Sequence, residues 1–123
     1  MRVRALVGKQ CEIVGPETPI KDVALAMKNV GVSAVAVVDR TGLVGICTDR
    51  DLAMAVAEGC DPDVAVGDRM ALSPDTIDAE APVRDAALWL LETGYRHLPV
   101  LQDGELLGII DSRDLLWAVT SEE

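Results

Sequence analysis

Gly45-Ile46-Cys47-Thr48-Asp49-Arg50-Asp51-Leu52 is the stretch from which the fold is read, because its construction returns as Gly108-Ile109-Ile110-Asp111-Ser112-Arg113-Asp114-Leu115. Each copy reads as a strand that ends and a helix that begins. The apolar run Leu43 to Cys47 is short and bounded by a turn, as a buried strand is, and Leu52, Ala55 and Val56 then fall at helical spacing. Thr48 therefore stands where an N-cap belongs. An opening helix presents unpaired N–H groups and the positive end of its dipole, so such a junction can receive an anion.

Sliding the chain by 63 positions aligns residues 3–56 with 66–119 without a gap, at about 16 identical pairs. Pro19 matches Pro82, Asp22 matches Asp85, Gly31 matches Gly94, and Arg50 and Asp51 match Arg113 and Asp114. These residues punctuate turns and helix starts, so the halves share one supersecondary plan. A repeat of about 60 residues buries too little of its chain to be stable alone. The expected division is residues 1–60 and 61–123, folding as one body.

Half of the 123 residues are apolar, enough for one packed domain. The formal net charge of −10 opposes approach to nucleic-acid phosphate or an anionic membrane surface, so neither polyanion is an expected partner. Cys11, Cys47 and Cys60 are odd in number and lack CxxC spacing, which argues against a disulfide framework and a zinc site. No apolar run approaches a membrane span, and Met1-Arg2-Val3-Arg4 lacks a signal core. The expected setting is a reducing cytoplasm.

Cys11 to Val14 reads as a short strand ended by Gly15-Pro16. Thr18 reads as an N-cap before Pro19, with Ile20, Val23, Ala24, Met27 and Val30 forming one apolar helical stripe that Gly31 closes. Ala34 to Val38 turns at Asp39-Arg40-Thr41-Gly42 into Leu43 to Cys47, and a helix runs from Asp49 to about Glu58. One repeat is thus β-α-β-β-α. The second follows with a helix from Pro82 to Thr93, strands at Leu98 to Leu101 and Leu106 to Ile110, and a helix from Ser112 to Thr120. Pro99 cannot donate to a ladder, so an edge or a strand start is its expected place. Direct hairpins make the sheets mixed, and no GxGxxG or Walker loop is present.

Tandem β-α-β-β-α repeats, with a terminal strand and then Gly-x-x-Thr-x-x-Asp opening the last helix (Gly45, Thr48 and Asp51 in the first copy), resemble the CBS domain pair, or Bateman module, over essentially the whole chain. Val66-Gly67-Asp68-Arg69-Met70 is similar to the entry of a second CBS unit, and Tyr95-Arg96-His97-Leu98-Pro99-Val100 to its second strand. The resemblance implies an α+β fold of two CBS-type repeats with mixed sheets packed about a pseudo-two-fold axis. It implies a non-catalytic regulatory module that binds an adenine nucleotide or related adenosyl ligand (AMP, ADP, ATP or S-adenosylmethionine) in the cleft between its units, with no cofactor required. It also implies a homodimer acting on an unidentified regulated protein. The rival reading is a ligand-independent dimerisation or protein-interaction module.

Carried over residue by residue, the ligand motif falls on Thr48 and Asp51. A hydroxyl at the helix start can donate to a phosphate or ribose oxygen, and a carboxylate one turn on can accept both ribose hydroxyls. The same pair also reads as a plain N-cap with an acidic N3 residue. The second copy has Asp111 where Thr or Ser is expected, followed by Ser112, with Asp114 in place. A carboxylate there repels phosphate and leaves ribose recognition to Asp114. Arg96 and His97 are the cations the resemblance directs to the phosphates; a surface charge and a backbone-bonded strand histidine are the alternatives. Arg50 either joins that cluster or pairs along its helix, as does Arg113. Cys47 with His97 invites a thiol–imidazole reading, but Cys47 occupies the apolar strand position of Ile110, which favours a buried side chain. No catalytic or metal-ligating set is expected. Trp89 and Trp117 are expected in the core or at a dimer interface.

Overall fold

The computed structural model describes residues 1–8 and 11–121. Each repeat forms β-α-β-β-α as its punctuation predicts: β1 (Ile13–Val14), α1 (Ile20–Val30), β2 (Ala34–Asp39), β3 (Gly42–Thr48) and α2 (Asp49–Ala57). After β4 (Ala71–Leu72) come β5 (Ile77–Asp78), α3 (Val83–Thr93), β6 (His97–Gln102), β7 (Glu105–Asp111) and α4 (Ser112–Ser121). Short 3-10 turns open the repeats at Val3–Leu6 and Val66–Asp68. The sheets are mixed, in the orders β1-β2-β3-β4 and β5-β6-β7, with β1 parallel to β2, β5 parallel to β6, and the hairpins antiparallel. Gly31 and Gly94 close α1 and α3 in the left-handed conformation that costs glycine nothing.

The described residues pack as two compact units, and these do not follow the sequence repeats. Those within 11–74 form a continuous unit, while those within 1–10 and 75–123 form a split one. The split unit's core takes Val3 and Leu6 from the leading turn together with Ala86, Leu98, Val100, Ile110, Leu115 and Ala118. The continuous unit's core is Ile20, Val23, Met27, Val35, Val37, Cys47, Ala55 and Val66. Val66, which opens the second repeat in sequence, therefore completes the core of the first. A division at residue 60 describes the repeat; packing crosses it.

Three local expectations are corrected. Pro19, not Thr18, is the N-cap of α1: its ψ of 143° holds it extended while its carbonyl accepts from Asp22 and Val23. The Thr18 carbonyl is instead bonded to the Val66 N–H at 2.7 Å. Pro82 caps α3 in the same extended way. Ile20, Val23 and Met27 of the α1 stripe are buried, but Ala24 and Val30 are exposed, so the buried face is narrower than the stripe and does not reach the last residue of the helix. Pro99 is the third residue of the middle strand β6, buried and opposite Ile109. The register with β5 begins only at Val100, so on that side β6 is still unpaired at Pro99 and no ladder donor is required there.

Candidate functional site

In the continuous unit, β3 ends at Thr48 directly opposite Ala34, the first residue of β2, and α2 opens at the next residue. The Asp49 N–H donates to the Ser33 carbonyl at 2.9 Å, which holds the start of β2 beside the helix end. Thr48 is extended at φ −111°, ψ 168°, and makes a full capping box. Its Oγ1 accepts the Asp51 N–H at 3.2 Å, while the Thr48 N–H and hydroxyl both donate to Asp51 Oδ2, at 2.9 and 3.1 Å. The two sequence readings of this pair, cap and ligand motif, thus coexist: the cap employs Oδ2 and leaves Oδ1 outside it. Thr48 and Asp51 are half-buried, and Arg50 between them is exposed.

The split unit repeats the geometry with different chemistry. β6 begins at His97 opposite Asp111, and the Ser112 N–H donates to the Arg96 carbonyl at 3.2 Å. Arg96, His97, Ser112 and Asp114 are therefore gathered at the start of α4, with Arg96 and Ser112 exposed and His97 and Asp114 half-buried. The cap is a pair of carboxyls. The Asp111 N–H donates to Asp114 Oδ2 at 2.8 Å, and the Asp114 N–H to Asp111 Oδ1 at 3.0 Å. Burial raises the Asp114 pKa, and the charge and side-chain hydrogen bond of Asp111 push it the same way, against the Asp111 N–H bond and the Arg113 charge. The neighbouring carboxylate thus disfavours the charged form of Asp114.

Cys47 is fully buried, and burial, then the Asp51 charge, pushes its thiol up to about 12. At neutral pH it carries no thiolate, and its Sγ points to the Thr48 carbonyl at 3.9 Å. Among the described residues no group of three or more His, Cys, Asp and Glu is placed to hold a metal. No helix among them is long and apolar enough to cross a membrane. Trp89 packs on the split unit's core and donates Nε1–H to Asp75 at 3.0 Å, whereas Trp117 is 55% exposed. The partnership of Asp75 with Trp89 had no signal in the sequence, since it joins a loop to a helix 14 residues on.

The fold is shared by known proteins. The CBS domain profile matches residues 3–58 and 66–121, and the chain belongs to the CBS-domain family as a tandem pair. The CBS domain-containing protein YhcV of Bacillus subtilis is 30% identical over 114 residues, covering 92% of this chain and 81% of that protein. The chain spans only about half of a Methanopyrus kandleri relative, 54% of its length, at 30% identity over 82% of this chain. The structure of CBSX2 in complex with AMP superposes with a TM-score of 0.83 at 28% identity, covering 98% of this chain and 97% of that one. The CBS domain pair of protein MJ0100, in complex with 5′-methylthioadenosine and S-adenosyl-L-methionine, shares the fold with a TM-score of 0.90 at 22% identity, covering 100% and 98%.

Proposed function

We propose that the chain is a non-catalytic sensor that binds an adenosyl ligand, with AMP as the first candidate and ADP, ATP and S-adenosylmethionine as rivals. The observation that carries this reading is the Thr48–Asp51 box. It fixes a carboxylate and a helix N-terminus side by side, with Asp51 Oδ1 outside the cap and available to ribose hydroxyls. The AMP bound by the 28% identical CBSX2 supports the ligand class. The Asp111–Asp114 pair disfavours phosphate at α4, so Asp114 there serves ribose recognition, and Arg96 and His97 supply the cationic side of the module. Arg50 and Ser112 flank the two helix starts.

The test is a thermal-shift titration of the purified protein with AMP, ATP and S-adenosylmethionine, beside the Asp51→Asn variant, which retains an oxygen for the cap. Saturation at a hundredfold excess over Kd stabilises the native state by about 2.7 kcal/mol, so a rise of roughly 5–10 °C is expected with one ligand and is lost in the variant. No shift with any of them at millimolar concentration moves the assignment to the second reading, an interaction module. That reading is favoured by one observation: α3 and α4 expose Leu88, Leu91, Leu116 and Trp117, with Leu91 82% accessible. We place the same faces in a cytoplasmic homodimer that passes the ligand signal to an unidentified regulated protein.

A further inference from the structure

We infer that the 3-10 turn leading each repeat is a detachable strap, holding the helix that carries one unit's ligand motif and linking it to the repeat that builds the other unit. The strap Val66–Asp68 belongs by sequence to the second repeat, yet Val66 is fully buried in the continuous unit with Ala55 and Leu52 of α2. Its N–H donates to the Thr18 carbonyl at 2.7 Å, and Ile20 donates to the Val64 carbonyl at 2.9 Å. Arg69 Nη2 then lies 2.8 Å from Glu58 Oε1, at the C-cap of α2. α2 is thus opened by Thr48 and Asp51 and clasped at its far end by the strap.

The strap Val3–Leu6 is the reciprocal case. It leads the first repeat, but Val3 and Leu6 are buried with Leu115 and Ala118 of α4, the helix opened by Asp111 and Asp114. Val3 donates to the Ala81 carbonyl at 2.9 Å and Arg4 to that of Ala79 at 2.9 Å, while Val83 donates to the Met1 carbonyl at 3.0 Å. Arg4 pairs with Glu80 at 3.4 Å, both side chains being more than half exposed. Each strap is a single short turn held by one or two apolar side chains, a few backbone bonds and an ion pair at or near the surface. Segments held by so few contacts open before the rest of the unit they complete. Each also runs on into the opposite repeat, so tightening α2 acts on the chain from residue 66 onward, and tightening α4 acts on the chain that leads to β1.

The inference rests on the ligand reading only for what tightens the helix, and amide hydrogen exchange on the full chain separates the two. Without ligand, Val66→Ala is expected to speed exchange about ten-fold in α1 and α2 and leave α4 unchanged, while Val3→Ala does so in α3 and α4 and spares α2. Arg69→Gln, which leaves the core intact, raises exchange only in the last turn of α2. An increase confined to each variant's own repeat, or spread evenly over both units, overturns the strap. With AMP added, slowed exchange at residues 66–70 supports the coupling; AMP that raises the melting temperature but leaves those amides unchanged overturns it. If AMP causes no thermal shift, the AMP reading alone fails, and the ligand-free variants still decide the strap.

Discussion

The substitution of Asp111 for the threonine of the first copy changes what its helix start can do. The raised Asp114 carboxyl holds its proton more tightly in the folded protein than in the unfolded chain. Its contribution to stability is therefore present in acid and is lost as the pH rises through the raised folded value. Asp111→Thr restores the hydroxyl cap and removes the neighbouring charge. The variant is expected to melt about 2–4 °C higher than the parent near pH 7, with the gain vanishing below the ordinary Asp range, as read from melting temperature against pH. A gain independent of pH would assign the effect to capping alone. Asp51, whose partner is a hydroxyl, serves as the internal comparison: its cap was legible from four residues of sequence because both partners lie in one helical turn.

Elements in this chain are held by close backbone approach as much as by side-chain packing. Gly45 faces β4, which pairs with it through Leu72; a Cβ there would meet Met70 Sδ and stand 3.0 Å from the Ala71 carbonyl oxygen. The methionine can swing aside, but the carbonyl belongs to the ladder. Gly45→Ala is expected to cost about 1–3 kcal/mol by chemical denaturation and to speed amide exchange in Ala71 and Leu72 before the β2–β3 hairpin loosens. The hairpins themselves were legible, since Asp39 to Gly42 and Asp103-Gly104 turn locally and Asp103 and Gly104 take positive φ. The cap of α1 was not. Thr18 has the right chemistry for an N-cap, but its carbonyl is engaged by Val66, a residue 48 positions away that no local pattern announces.

At the scale of the molecule, the exposed apolar side chains of α3 and α4 make association the measurable consequence. Leu91→Lys places a charge at the most exposed of them and is expected to weaken the proposed homodimer at least ten-fold by sedimentation equilibrium, with the far-ultraviolet circular dichroism unchanged. A variant that sediments as its parent would direct the interface elsewhere. By itself the sequence determined the repeat, the order β-α-β-β-α, the mixed sheets and the two helix starts, because these depend on period, punctuation and capping within a few residues. Only the tertiary structure decided that Val66 completes the first repeat's unit, that Val3 and Leu6 complete the second's, and that Pro99 sits in a middle strand. These outcomes depend on which apolar side chain fills which core and where a neighbouring strand begins, and a repeat that presents equivalent residues twice leaves that choice to packing.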